Sequence, residues 1–322
     1  MSSSRLQQQH DHLRLNKNKT PEGKMGDVSG GGLSVQVVVV HFGSWEVTLE
    51  CLRSLENLLY PNYQVIVVDN GPQEGGFRLS PTGAFAIQVI RNSENRGFAA
   101  ACNQGILHGR ANNASYVWIL NNDTEVTSGA LSALLSKAEN DARMGAVGST
   151  LLKKERGYDK ETSGGGHVSF ITGISRHLKN HLPGEPDYLC GASLLFRMEA
   201  LEDVGFFDKE FFLYWEDTDI SFRLKKRGWR LGVAETSRVY HRGSCSTVFQ
   251  SSGCDLHYTA SSIRFFSRHS RFWFLPVGIS VLGRVVCRAV RGKRENIRSI
   301  WLGLKKGLAR RVRRGQIPFT VS

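Results

Sequence analysis

Three carboxylates fall within four residues at Glu216, Asp217 and Asp219, directly after the aromatic run Phe211-Phe212-Leu213-Tyr214-Trp215. Acids pressed against aromatics sit where water is scarce, which raises their basicity and suits a group that takes a proton. The same residues also read as the opening of a helix through Ile220, Phe222 and Leu224 to Gly228, where the helix dipole favours acids. The rest of the chain must separate the two readings. Three further polar groups, His41, Asp69-Asn70 and Asn121-Asn122-Asp123, each close an apolar run. One polar strand end is what any turn requires. Three along one sheet edge make a pocket.

The elements that would carry these groups follow from periodicity. Val35 to Val40 is a β-branched run typical of a buried parallel strand, and Ser44 can cap a helix whose apolar positions Trp45, Leu49, Leu52, Leu55 and Leu59 run to Pro61. Strands are expected over Val65–Val68, Ala86–Ile90 and Tyr116–Leu120, with a small-residue helix from Phe98 to about His108. This alternation predicts an α/β fold with a mostly parallel, doubly wound sheet. No Gly-x-Gly-x-x-Gly and no Gly-Lys-Ser occurs, which argues against a dinucleotide site or a P-loop. Ser163-Gly164-Gly165-Gly166 reads as a flexible loop, and residues 158–187 show little regularity. Regular pattern resumes at Leu189–Phe196, a strand centred on Gly191-Ala192, where small residues can mark a bulge or a close approach by ligand or backbone.

At 322 residues the chain can bury a full core, and its net charge of +13 is local. Residues 264–314 hold fifteen Lys or Arg against the single acid Glu295, a balance of +14 that leaves the remainder at −1. Six scattered cysteines without C-x-x-C spacing indicate a reducing compartment and no structural zinc, and residues 1–33 read as a polar, disordered leader. In the tail, the apolar stretch Phe272–Gly283 is too short to span a bilayer, while Ile297, Ile300, Trp301, Leu304 and Leu308 recur at helical spacing among Lys305, Lys306, Arg310 and Arg311. Three readings compete, a solvated charged helix, a nucleic-acid patch and an anchor on an anionic membrane surface; the apolar stripe, which phosphate contacts do not need, favours the membrane.

From about Val35 to His269 the chain resembles the inverting glycosyltransferases of family 2, within their rhamnosyltransferase-like branch. The likeness rests on ordered blocks: Val67-Val68-Asp69-Asn70-Gly71, Asn92 with Asn95-Arg96-Gly97-Phe98, Leu120-Asn121-Asn122-Asp123, Cys190-Gly191-Ala192, Gly205-Phe206-Phe207-Asp208, Phe212 to Asp219, and Tyr240-His241-Arg242-Gly243-Ser244. The resemblance implies a GT-A fold over residues 34–270, with a nucleotide-sugar-binding half (34–150) and an acceptor and catalytic half (151–270), followed by a basic membrane-associating tail (271–322). It implies transfer of a sugar, rhamnose as first choice, from a nucleoside diphosphate sugar to a lipid-linked glycan at the inner face of the cell membrane. By this likeness Asp69 reads the base, His41 and Asn95 line the nucleoside site, and Asn121, Asn122 and Asp123 face the nucleotide sugar. Asp123 corresponds to the last acid of the family's D-x-D motif, with Asn121 where the fullest form has Asp, and His241 to a second ligand for Mg²⁺ or Mn²⁺. Asp217 takes the role of base with Glu216 as neighbour and rival, and Gly191, Ala192 and Trp215 adjoin the acceptor. Asp219, four residues before Arg223, reads as half of a helical ion pair. The competing expectation is a membrane-associated module of the same fold without turnover, which would have no need of Asp217.

Overall fold

The computed structural model describes residues 32–71, 87–155, 158–162, 164–177, 184–243 and 252–315. The expectations for the leader before residue 32, and for Ser163, Ser244 and Cys245, lie outside these residues.

Valine-rich β1 (Val35–His41) is buried along its whole length because it is flanked on both sides in the sheet and covered on both faces. It pairs in parallel with β2 (Tyr63–Asp69) and β4 (Tyr116–Asn121), and β3 (Ile87–Arg91) extends the sheet beyond β2. One core lies under helix α2 (Phe98–Ala111) and a second under α1 (Trp45–Leu55) and α3 (Ala130–Glu139). Helix α1 stops at Leu55 instead of running to Pro61, and Leu59 is exposed. Helix α2 sits tightly on β1 because Gly105 leaves no side chain to meet Val38.

The sheet continues with antiparallel β11 (Ser193–Arg197), then β6 (Met144–Glu155), β12 (Arg230–His241) parallel to β6, and the edge strand β5 (Thr124–Val126). The expected α/β sheet is therefore present, with its first four strands parallel and antiparallel members added in the second half. The described residues between 158 and 189 are more regular than their sequence suggests. They form β7 (Tyr158–Thr162), paired with β6, and a small second sheet of β8 (Gly165–Val168), β9 (Ser175–His177) and β10 (Tyr188–Leu189). The glycines read as a flexible loop are packing positions instead: a Cβ on Gly164 would stand 1.9 Å from the Ser149 carbonyl oxygen, and one on Gly166 2.4 Å from that of Arg176.

Helices α4 (Met198–Val204) and α5 (Glu216–Lys226) precede β12; α6 (Ser252–His269), α7 (Phe274–Val290) and α8 (Arg294–Gly315) follow it. The chain from Leu33 onward is one compact unit, so the basic tail is folded onto the domain. Asp255 of α6, itself buried, accepts from Arg288 Nε at 3.0 Å and from Asn296 Nδ2 at 2.7 Å, joining α6, α7 and α8. Gly303 and Gly307 let α8 approach the Leu256 carbonyl and Ile263 of α6. Among the described residues no helix is long and apolar enough to cross a membrane.

Candidate active site

The parallel register brings His41 beside Asp69, and Asn121 beside Val40, so the polar ends of β1, β2 and β4 lie together on one edge. His41 is buried, stacks on Trp45 with ring centroids 3.7 Å apart, and shares a 2.7 Å hydrogen bond with Thr48 Oγ1. Burial lowers the pKa of its imidazole, against the opposing charge of Asp69, so the ring is neutral at pH 7. Thr48 Oγ1 also accepts from Asn122 Nδ2 at 2.9 Å, which ties the β4 end to α1. Asn95 accepts from Asn70 Nδ2 and from the Gly97 amide, so it shapes the turn into α2. Asn70, expected at the polar end of β2 but given no role of its own, is the hub there: its Oδ1 accepts from Asn92 Nδ2 and from the Arg96 amide.

Asp123 and His241 are 118 positions apart in the chain, yet strand β12 delivers His241 Nε2 to 3.2 Å from Asp123 Oδ1. The Asn121 amide nitrogen stands 3.4 Å from the same ring nitrogen. A carboxylate oxygen and an imidazole nitrogen facing one another at the edge of a polar pocket are a donor pair that Mg²⁺ or Mn²⁺ accepts. Among the described residues no group of three or more His, Cys, Asp or Glu is placed to hold a metal ion.

The three acids of the opening stretch have separate fates. The segment leading into α5 is strained: Tyr214 and Trp215 both adopt φ of 69°, a left-handed conformation that costs about 1–3 kcal/mol per residue and clusters at functional sites. Trp215 is packed away, its ring 4.8 Å from Phe265 and 5.2 Å from Phe266, so it offers no open face to an acceptor. Glu216 is buried with Oε2 lacking any partner. Burial, reinforced by neighbouring Asp217, pushes its carboxyl well above the usual range, which keeps it protonated. Asp219 is fully buried among Arg223 Nε at 2.8 Å, Arg268 Nη1 at 2.9 Å and His269 Nε2 at 2.9 Å. Burial alone would raise its pKa, but His269 and the two arginines overcome this and hold it at about 2. The i,i+4 pair with Arg223 is present as expected, within a larger cationic cage.

Asp217 alone of the three reaches solvent. Its Oδ2 accepts from the Gly191 amide at 2.9 Å, and its Oδ1 from the Thr218 amide at 2.6 Å and from Thr218 Oγ1 at 3.1 Å. Burial raises its pKa, and these donors restrain the rise. A carboxylate oriented by neutral donors, with its basicity raised by burial, is suited to take a proton. Gly191 thus holds the acid, while the carbonyl of the next residue, buried Ala192, accepts from the Asn121 amide at 3.1 Å. A two-residue bridge therefore connects Asp217 to the Asn121, His241 and Asp123 group. His177 and Tyr188 of the small sheet also stand here, Tyr188 Oη 3.5 Å from His177 Nδ1, with His177 feeling the charges of Asp217 and His241. Neither residue was foreseen, because the segment that carries them shows no periodic pattern.

In open α/β sheets ligands bind outside the carboxyl ends of the strands, where His41, Asp69, Asn121 and Asp123 lie here. Residues 36–205 match the family model for glycosyl transferase family 2, and the chain belongs to that family. It is a glycosyltransferase, an enzyme that moves a sugar from a nucleotide sugar to a glycan acceptor. Among curated proteins it is 27% identical over 259 residues to N-acetylglucosaminyl-diphospho-decaprenol L-rhamnosyltransferase of Mycobacterium tuberculosis, covering 73% of this chain and 84% of that one. It is 25% identical over 224 residues to the poly-beta-1,6-N-acetyl-D-glucosamine synthase of Staphylococcus aureus, covering 68% of this chain and 51% of the synthase, so it spans about half that protein's length. Among solved structures, GalNAc-T7 with UDP, GalNAc and Mn²⁺ superposes with a TM-score of 0.53 at 15% identity over 66% of this chain and 44% of that one. The mannosyltransferase PcManGT of Pyrobaculum calidifontis, solved with GDP-Man and Mn²⁺, gives a TM-score of 0.50 at 14% identity over 85% and 86%. These likenesses establish the GT-A fold.

Proposed function

We propose that the protein is an inverting, metal-dependent rhamnosyltransferase that acts on a lipid-linked glycan at a membrane surface. The observation that carries this reading is the Gly191-Ala192 bridge, which puts Asp217 on one side and the Asp123 and His241 pair on the other. A base and a donor-diphosphate site must flank the sugar for an acceptor oxygen to attack opposite the leaving group. The choice of rhamnose and of a lipid-linked acceptor is supported by the mycobacterial relative, whose name contains both.

Asp123 and His241 would hold Mg²⁺ or Mn²⁺, which neutralises charge on a departing diphosphate. The chain's own residues account for the rest. Asp69, His41 and Asn95 shape the nucleoside end of the pocket, with His41 neutral and able to accept or donate. Gly191 and Thr218 aim the Asp217 carboxylate, which takes the acceptor hydroxyl proton as its oxygen attacks the anomeric carbon. Burial raises both acids and raises Glu216 more strongly, so the two adjacent carboxyls differ in basicity, a separation that acid–base sites use. Incubating purified protein with dTDP-rhamnose, Mn²⁺ and a lipid-diphosphate glycan acceptor tests this directly. Product of inverted anomeric configuration supports the reading; transfer that prefers another nucleotide sugar overturns the rhamnose assignment, and retention of configuration overturns the role of Asp217.

A further inference from the structure

Helix α7 buries Pro276, Val277 and Val281 against the domain, yet its outward face is apolar too. Its two cations point inward: Arg288 is buried against Asp255, and Arg284 lies over the Tyr258 ring at 4.7 Å and 3.6 Å from Asp255. Its outward face carries Phe274, Leu275, Ile279, Leu282, Val286 and Val290, all solvent-exposed, up to 84% for Val290. Between these lie Gly278, Gly283, Cys287 and Ala289, so no charged residue interrupts this face from 274 to 290. An ordinary surface helix carries charged or polar residues on its outward face. The patch continues beyond the N-terminal end of the helix. Phe272 is exposed ahead of the helix, and the turn between β8 and β9 abuts its first turns, Gly173 lying against the Pro276 carbonyl and Ser280, with Ile171 and Ile174 exposed beside it. Exposed Arg271 marks one end, and exposed Arg291, Arg294 and Arg298 the other.

We propose that this outward face of α7, together with the β8–β9 turn, is the surface by which the protein lies on an anionic lipid bilayer. The sequence places such a face on α8, where Ile300 is buried while Trp301 and Leu308 are exposed among basic residues; the outward face of α7 is the one that no charge interrupts. The occupant follows from charge. An apolar strip ending in cations matches a bilayer interface, where acyl chains receive the strip and lipid phosphates meet the arginines. A second copy of this chain fits less well, because a two-fold contact through the same patch brings like arginine clusters together, and Glu295 is the only acid among residues 271–315 to relieve them. The location also suits the enzyme. The β8–β9 hairpin belongs to the small sheet that carries His177 and Tyr188 beside Asp217, so a bilayer under this face would meet the acceptor side of the site. The proposal rests on the lipid-linked acceptor reading only for that purpose.

Sedimentation of the full-length protein with vesicles, without donor or acceptor, tests the surface independently of the acceptor reading. We expect binding to phosphatidylglycerol-containing vesicles, weaker binding to pure phosphatidylcholine, and a loss of about tenfold or more in Leu282→Glu/Val286→Glu. Arg291→Glu/Arg294→Glu should weaken binding to anionic vesicles only, as added salt does. Should the glutamate pair unfold the protein, Ile279→Ser/Leu282→Ser serves in its place, with the melting temperature as control. Unchanged vesicle binding by the folded variants overturns the proposal. So does a wild-type dimer in light scattering that these substitutions convert to monomer without any vesicle binding. Turnover of a water-soluble acceptor equal to wild type in the α7 variants shows that the active site is untouched; absent turnover in wild type with intact vesicle binding would indict the acceptor reading and leave the surface standing.

Discussion

The mouth of the site around Asp217 and the anchor behind it around Asp219 lie within one turn of α5, yet they treat a carboxylate in opposite ways. Asp219 meets three cationic or ionisable partners and no solvent, while Asp217 meets only backbone and hydroxyl donors and keeps a path to water. Neighbouring Asp208 repeats the first pattern, bound by Arg264 and Arg268 across to α6. The aromatic cluster of Trp215, Phe265, Phe266 and Phe222 fills the space between α5 and α6. Charges that hold structure are saturated with opposite charge. A charge meant to receive a proton is aimed by neutral groups, since a permanent cation would suppress its basicity.

The sharpest way to break this contrast is Asp217→Asn. Keeping shape but removing the base should lower kcat by about 10³-fold or more, while donor affinity measured by calorimetry stays within a factor of a few. The acid limb of the wild-type kcat/KM profile should lie above the ordinary carboxylate range, since burial raises Asp217, and should vanish in the variant. Equal activity in the variant would move the role to another group. On the other side of the comparison, Asp219→Ala should leave Arg268 and His269 facing an empty site and cost about 3 kcal/mol of stability, read from denaturant midpoints. The pH dependence has a definite sign. A folded pKa near 2 lies below the unfolded value of about 3.9, so the stabilisation is complete above pH 4 and is lost as pH falls toward 2. Wild type should lose stability across that window more steeply than the variant. His241→Ala should reduce turnover by about 10- to 100-fold and raise the Mn²⁺ concentration needed for half-maximal activity; turnover unaffected by EDTA in wild type would remove His241 and Asp123 from this role.

The polar carboxyl edge of the sheet is legible in the sequence because its signals are local. β-branched strands closing on His41, on Asp69-Asn70 and on Asn121-Asn122-Asp123 are read from a few neighbouring residues, and the parallel register then sets them side by side. The anchor was legible only in part. The i,i+4 spacing announced Asp219 and Arg223, but Arg268 and His269 arrive from 49 and 50 residues away, beyond any periodic pattern. Residues 158–187 were opaque for a related reason: their glycines serve close packing against distant backbone, which in sequence looks the same as a flexible turn. The tail shows its charge in the sequence but not which way its charges face. Arg284 and Arg288 look solvated until Asp255, far upstream, turns them inward, and the Gly303 and Gly307 spacing that lets α8 pack on α6 was the unused signal. Removing residues 271–322 is therefore a poor probe of membrane binding, because it would strip Asp255 of its buried partners.

The smallest expected effect tests how mouth and donor edge are joined. Gly97 precedes α2 with φ of 85° and ψ of 161°, a region in which only glycine is at ease. A Cβ there would stand 2.6 Å from the Phe212 carbonyl oxygen, the atom that accepts the Phe98 amide at 2.8 Å. This one contact couples the nucleoside-side turn held by Asn70 and Asn95 to the strained segment that presents Asp217. Gly97→Ala should cost about 1–2 kcal/mol of stability. If the contact also transmits position, its kcat should fall more than its donor affinity weakens, because the displaced Phe212 backbone leads into Tyr214, Trp215 and the base. An equal drop in both would instead confine Gly97 to the donor edge and leave the two regions mechanically separate.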